Sequence, residues 1–581
     1  MLFRSLDADG WLDAVAVLDG KPTLFSPKPN SNRYLTYRIK GISDPNGGGR
    51  NNQYAVGSTV ELFGPFGYQA RVIEDDSVHF GLGTNEAYYL RNIFVNGLTQ
   101  GIIDPKPNHI LEEKQVLIGS CPFLYGWNGS RWEMITDLLW NAPLGLQIAK
   151  GKVLPDRRWE YLSLPRDLMK PHRGAIELRI TEELWETAYF DHVALLTIDH
   201  PAETEWYSNE KVGPESIAKP ILWGYRSTIK PTSVKDQKGR DWTAAVEHAD
   251  GSYAIPFDKQ IKQGLIEPTY LELDFGKITS SKPSQLILTG WIYPTDTSLN
   301  IAIDQNDNLE PPAPLSLWVV GKSGEFEQVI PFTGFPGGKP KTIVVPLDLL
   351  FKTNDHRIRL MHSSQIYWDQ IRLGYGEPIG IGSPFDAEDY KAVDIESRKS
   401  SLLFSIGQLR LESADLHYRG FSRELPRTRH EPHWYEYSDV STFPAWPPLR
   451  GNFTQFGSVT PLIQTNDDIL VVMGSGDEMI LRFQLPETDP PEGWVRDYIL
   501  HSVGWDKDAA MNTLEGQSSL PLPFSRMSQY PPGFDDRDAA LIVNRDHERT
   551  LTRKQPAKNF WNLSPSQLKT PTATNSQTKS Q

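Results

Sequence analysis

Along most of this chain, apolar residues recur at every second position in short runs, and each run closes on a turn signal. Examples are GSTVELFGP, AIELRITEEL, YLELDFGK, QLILTGWIY, LSLWVVGKSG, KTIVVPLDLL and HRIRLMHSS. Successive side chains of a strand point to opposite faces, so period two marks a half-buried strand. A helix would space its apolar residues by three and four. Val, Ile, Leu, Thr and aromatic residues fill the runs, and Gly and Pro, 45 of each, punctuate them. Long amphipathic helical patterns are scarce. The expected fold class is mainly β and multidomain, with β-sandwich or jelly-roll domains in tandem.

At 581 residues the chain is long enough for several domains. Its formal net charge of -14 argues against a nucleic-acid partner, which requires a basic footprint. No run of about 18 apolar residues is present, so no membrane span is expected. The single cysteine, Cys121, rules out an intrachain disulfide and a zinc ribbon. The first residues, MLFRSLDADGW, lack the charged and apolar regions of a signal peptide.

Composition shifts and Pro-rich breaks such as PKPNSN (27–32) and DPKPNH (104–109) divide the chain. Segment 1–26 holds an acidic loop and a strand. Residues 30–116 form a β domain, 117–215 a β-rich domain and 216–380 a jelly roll. A C-terminal β-rich region covers 381–545. The aromatic- and Pro-rich stretch 424–452 within it is expected to wrap a surface without regular structure. From 546 to 581 apolar content falls and a disordered tail is expected.

The stretch SLDADGWLDAVAVL (5–18) has the pattern of an oxygen-ligand cation loop. Asp7 and Asp9 would supply side-chain ligands, Gly10 the turn, Trp11 a backbone carbonyl and Asp13 the closing carboxylate. Ser5 stands where a further Asp would bind a hard cation such as Ca²⁺ more tightly. The plainer alternative is an acidic turn before a strand.

This loop resembles the calcium loop of an FG-GAP/VCBS propeller repeat. The segment 30–116 is similar to the ASPIC/UnbV domain of the cartilage acidic protein family. The matching stretches are NRYLTYRIKG (32–41), RNNQYAVGSTVELFG (50–64), DSVHFGLGTNE (76–86) and PKPNHILEEKQ (105–115). The stretch QARVIEDD is shorter than its counterpart in the family, and FVNG (94–97) replaces a Trp-Pro-Ser-Gly-like turn. The resemblance implies that 1–26 is a remnant of a propeller repeat and that the chain is the C-terminal portion of such a protein. It also implies extracellular or periplasmic residence. HFGLG has neither the strand-to-helix setting nor the lysine of a phosphate loop.

Residues 267–375 resemble a galactose-binding-like jelly roll through LDFG in an early strand and WDQIRL in a late one. Under that resemblance Trp291, Tyr293 and Trp368 are candidates for a sugar-stacking face, with Asp369, Asp296 and Asn300 binding hydroxyls. The alternative is that the aromatics fill the sandwich core. Trp127, Trp132 and Trp140 belong to a hairpin, SCPFLYGWNGSRWEMITDLLW, as core or hairpin-face aromatics. DQNDNLE (304–310) reads as a polar loop, and Asp506, Asp508 and Asn512 of GWDKDAAMNT as an Asx-rich loop. In RHEPHWYEY, Pro432 disfavours the helix that a zinc site on His430, Glu431 and His433 would need. No GxSxG, Walker, HExxH or paired CxxC motif occurs.

The expected function is non-enzymatic: extracytoplasmic binding of a glycan or protein surface, with Ca²⁺ as structural support. The alternatives are an accessory or catalytic part of a polysaccharide-processing or biosynthetic enzyme, and a truncated gene product.

Overall fold

A computed structural model describes the chain except residues 1, 5–10, 29, 42–51, 96–98, 104, 116–121, 139, 141–143, 145–146, 150, 154–156, 185, 215, 279–283, 296, 309–310, 348–349, 381–403, 426–427, 429, 442–448, 509–515, 517 and 556–581. Among the described residues the fold is mainly β, with 51% strand against 7% helix. Every apolar run from GSTVELFGP to HRIRLMHSS lies on a strand. Contacts divide the chain into two units: Met1–Ile118 with Val440–Pro448 and Gln555–Gln581, and Gly119–Asp439 with Leu449–Lys554.

In the first unit, Leu2–Arg4, Asp13–Leu18 and Lys21–Phe25 form one antiparallel sheet. Two further sheets enclose a separate core. One pairs Arg33–Lys40 in parallel with His109–Lys114 and antiparallel with Val78–Gly83. The other runs Gly67–Val72, Thr59–Gly64, Tyr89–Ile93, Thr99–Ile103. Alternate residues Leu35, Tyr37, Ile39 and Val78, Phe80, Leu82 meet Val60, Leu62 and Leu90 between the sheets, as the period-two pattern demands. FGLG is thus strand rather than a ligand loop. Arg91 and Glu61 form a buried ion pair on the opposite face of their sheet, with the Tyr68 hydroxyl donating to Glu61 at 2.6 Å.

The second unit is a sandwich into which another sandwich is inserted. One host sheet runs Trp132–Asp137, Phe123–Trp127, Ala175–Thr181, Asp477–Gln484, Leu411–Tyr418, Gly457–Ser458. The other runs Trp159–Leu164, Trp494–Asp508, Glu186–Pro201, Ser405–Leu409. Ile176, Leu178 and Ile180 from one sheet pack against Leu162, Val193, Leu195 and Leu500 of the other. Residues expected in two domains, 117–215 and 381–545, therefore share both sheets: Ile176 pairs with Phe483 and Leu195 with Leu500. Between them lies the inserted sandwich. Its sheets are Thr228–Ile229, Ile366–Gly374, Gln285–Ile292, Lys341–Pro346 and Ser233–Asp236, Leu265–Asp274, Ile358–Ser364, Ser316–Val320, Phe326–Ile330. They enclose Leu271, Leu273, Leu286, Leu288, Ile343 and Leu360.

Host and insertion meet at two sheet edges, Trp159–Leu164 and Lys341–Pro346. An open edge presents unpaired N–H and C=O groups; here segment 208–212 satisfies them with side chains. Glu210 accepts the N–H of Ser163 at 2.9 Å and of Thr342 at 2.7 Å. Asn209 accepts the N–H of Val344 at 3.2 Å, and Lys211 Nζ donates to Val344 O at 2.8 Å. Beside them the buried Asp137 carboxylate pairs with Lys341 Nζ and accepts the Lys339 N–H at 3.0 Å. Burial pulls Lys341 down, but Asp137, Glu160 and Glu210 outweigh it and leave its pKa raised.

Three expectations change. The stretch expected to lack regular structure holds a hairpin, Phe421–Glu424 with Tyr435–Ser441. Asp506 and Asp508 lie in the long strand Trp494–Asp508 rather than in a loop, while Asn512 lies outside the described residues. The expected tail boundary at 546 falls inside a helix, Arg537–Leu551, whose partly buried Val543 packs on a core with Trp505 and Leu522. Among the described residues no helix is long and apolar enough to cross a membrane.

Candidate functional site

The neighbouring strands Gln285–Ile292 and Ile366–Gly374 determine where the candidate aromatics go. Trp291 pairs with Tyr367 and Gly290 with Trp368, but Thr289 pairs with Gln370. Asp369 is therefore the extra residue of a β-bulge. A bulge shifts side-chain parity and re-aims its own side chain. Ile366 and Trp368 before it, and Ile371 and Leu373 after it, all enter the core. Gly290 is required: a Cβ there would lie 2.4 Å from Tyr367 O.

Trp368 is 0% exposed inside that core. Its expected place on a sugar-stacking face is corrected to a packing role. Trp291 lies on the opposite face of the sheet, 3% exposed, with its ring 4.4 Å from Tyr367 and 8° from parallel. It presents no open face for a ligand. Around this stack stand two partly buried rings, Tyr253 at 6.1 Å and Tyr293 at 6.2 Å from Trp291. Tyr253 is held by a backbone bridge of the next residue, Ala254, to Trp368. Tyr293 donates its N–H to Gln365 O at 2.9 Å.

The polar side is built in the same way. The Tyr367 hydroxyl accepts from Gln365 Nε2 at 2.6 Å and lies 3.3 Å from His430 Nδ1. His430 and Glu431 arrive from the turn of the 421–441 hairpin, so host residues complete a site on the insertion. The Asp369 Oδ1 atom accepts the consecutive N–H groups of Asp250 at 3.1 Å and Gly251 at 3.0 Å. Burial pushes its pKa up to about 6; the two N–H bonds oppose the rise and Asp250 adds to it. Burial also raises the Tyr253 hydroxyl, reinforced by Asp369, Glu431 and Asp250. Asp369, Glu431 and Asp250 thus act electrostatically on the Tyr253 hydroxyl.

Of the expected set, the fold brings Trp291, Tyr293 and Asp369 to one region and turns Trp368 away. Asn300 lies in the helix Thr297–Asp304, and Asp296 lies outside the described residues. Asp304 ends that helix, and DQNDNLE continues through a turn at Asp307 and Asn308, while Leu309 and Glu310 lie outside the described residues. Sequence reasoning missed Tyr253 and Tyr367, and weighed His430 only as a zinc ligand disfavoured by Pro432. Tyr253 and His430 are far from Trp291 in sequence order, and no local pattern joins them. Tyr367 was within reach, because it immediately precedes Trp368 at the break in alternation.

In the acidic loop, Ser5, Asp7 and Asp9 lie outside the described residues. Trp11 is partly buried, and Asp13 is 2% exposed at the start of its strand, in register with Arg4. Among the described residues no group of three or more His, Cys, Asp or Glu is placed to hold a metal ion. Compared with known proteins, the chain matches no family model and no curated protein.

Proposed function

We propose that this chain is a non-enzymatic glycan-binding protein acting outside the cytoplasm, and that Tyr253 and Tyr293 are its sugar-contacting rings. One observation carries the proposal: two partly exposed tyrosines flank a buried Trp291–Tyr367 stack, and carboxylates act on one of them, Tyr253. A pyranose ring packs its C–H face on such an aromatic, and carboxylate oxygens accept its hydroxyls. The supporting stack keeps the tyrosines in place and so reduces the ordering cost of binding. Screening the intact chain on an array of neutral oligosaccharides tests this. The expected result is a set of hits lost in Tyr293→Ala and Tyr253→Ala while the melting temperature stays near that of the parent. An array without hits, or with hits insensitive to both substitutions, overturns it.

The extracytoplasmic setting and a Ca²⁺ loop at Ser5, Asp7, Asp9, Trp11 and Asp13 belong to the same proposal. They rest on the resemblance to the ASPIC/UnbV and FG-GAP/VCBS family. A Ca²⁺ titration should raise the melting temperature of the parent, and Asp9→Ala should abolish the rise. No rise in the parent rejects the loop as a Ca²⁺ site.

A second function is favoured by Asp369. A carboxyl raised to about 6 stays largely protonated in mildly acidic solution and can act as a general acid, with Asp250 as the carboxylate that acts on it. Release of reducing ends from an array hit in mildly acidic buffer, lost in Asp369→Asn, would assign glycoside hydrolysis. Intact oligosaccharide at every pH rejects it.

A further inference from the structure

The host sandwich carries a second aromatic surface, far from Trp291 in sequence. The hairpin Phe123–Trp127 with Trp132–Asp137 sets Trp127 directly opposite Trp132, their rings 5.3 Å apart. His172 lies 4.5 Å from Trp127 and 5.2 Å from Trp132. All three rings are partly exposed. The Arg179 guanidinium covers Trp132 at 4.6 Å and donates to the Tyr437 hydroxyl at 3.2 Å.

The rim is cationic. Lys170 and Arg173 are exposed and form no ion pair among the described residues. Arg131 is exposed beside Glu133, and Arg482 donates to Glu177 at 2.7 Å. Glu177 is buried and is shared by Arg179, Arg482 and His172. Glu436 is the further carboxylate that acts on Arg131. Lys170, Arg131, Arg173, Arg179 and Arg482, five cations, thus stand against four carboxylates, Glu133, Glu177, Glu436 and Glu478, the last 3.6 Å from Arg179. With cations outnumbering anions, this region is locally positive on a chain whose net charge is -14.

Arg173 adds a separate observation. It and Gly174 occupy φ +48° and +80° in a two-residue hairpin turn closed by His172 and Ala175. Asn or Gly suits such a position, and a long side chain is strained in it. A strained residue at a solvent-facing tip directs attention to what its side chain supplies, and here that is a guanidinium beside Lys170.

We propose that this surface binds an acidic polysaccharide bearing sulfate or uronate groups. Lys170 and Arg173 take the anionic groups, and the Trp127–Trp132 pair packs against the sugar. The assignment is independent of the Tyr253–Tyr293 site, which has carboxylates and suits neutral sugars.

The test uses the intact chain on immobilised heparin, on immobilised polygalacturonate and on immobilised double-stranded DNA in low salt. Retention by at least one polysaccharide and weaker retention by DNA are expected. Lys170→Gln combined with Arg173→Asn should weaken polysaccharide binding by about tenfold, since counterion release scales with the cations engaged. Asn fits the left-handed turn, so this variant keeps its fold, and an unchanged melting temperature confirms that. Trp127→Phe, which keeps an aromatic ring, should retain most of the binding. Failure of the parent to bind either polysaccharide, equal retention by the double variant, or tighter binding to DNA each overturns the proposal.

Discussion

Glu210 offers a quantitative test of how the insertion is held. Its two oxygens accept backbone N–H groups from two different sheet edges, Ser163 of the host and Thr342 of the insertion. Glu210→Ala leaves both donors buried without an acceptor, at about 1–3 kcal/mol each, so about 2–6 kcal/mol in total. Glu210→Gln keeps one acceptor and costs about 1–3 kcal/mol. The two substitutions also differ in their response to pH. Burial raises the Glu210 pKa from 4.5 to about 7, against the opposing pull of the two N–H bonds and Lys341. A carboxyl whose folded pKa is raised contributes stability that is full below its unfolded pKa and is lost as pH rises through the folded one. A rise from 4.5 to about 7 corresponds to about 3 kcal/mol. The parent should therefore lose about 3 kcal/mol of stability through this group as pH climbs from 4.5 to beyond about 7. Glu210→Gln cannot lose it, so the difference between the two proteins should shift toward Gln by that amount. Urea unfolding followed by tryptophan fluorescence at several pH values measures this double difference. Hydrogen exchange in peptides covering 159–164 and 341–346 localises it. A difference independent of pH would refute the burial argument, and unchanged exchange in Glu210→Ala would refute the bridging role.

Other consequences arise from single contacts. Trp368→Ala should destabilise by about 3–5 kcal/mol in chemical denaturation, because it empties a large volume in a closed core. Asp137→Ala should cost about 3–5 kcal/mol in the same assay, because it strands the buried Lys341 ammonium. Asp369→Asn should flatten the dependence of melting temperature on pH between the ordinary carboxylate value of 3.8 and about 6. The raised carboxyl loses its stabilising contribution as pH climbs through that window, and Asn does not titrate. Gly290→Ala should lower the melting temperature, since backbone and an indole occupy the space a methyl group needs.

Strand positions were legible because half-burial writes itself into alternation, as in QLILTGWIY and HRIRLMHSS. The nesting of one sandwich in another was not. Ile176 pairs with Phe483 and Leu195 with Leu500, and pairing between residues so distant in sequence leaves no local trace. The candidate site fell between these cases. Trp291 and Trp368 sit in equally apolar strands; Trp291 is out of step with the core residues Leu286 and Leu288 and faces away, whereas Trp368 enters the core just before the bulge at Asp369. That bulge has a faint signature, because the core residues Ile366, Trp368, Ile371 and Leu373 break strict alternation between 368 and 371. Asp191 repeats the pattern in the host. It interrupts the register of Glu186–Pro201 and accepts the N–H groups of Asp467 at 3.0 Å and Asp468 at 2.9 Å. In both places an aspartate out of alternation inside an apolar strand fastens a neighbouring loop, and the carboxylate was not recognisable in that role from its own strand alone.

Glycan binding at Tyr253 and Tyr293 is the central claim, and isothermal titration of a neutral oligosaccharide array hit into purified protein tests it most directly. The account predicts saturable heat for the parent, its loss in Tyr293→Ala at an unchanged melting temperature, and its retention in the Lys170→Gln and Arg173→Asn double variant. Equal heats for the parent and Tyr293→Ala would contradict it.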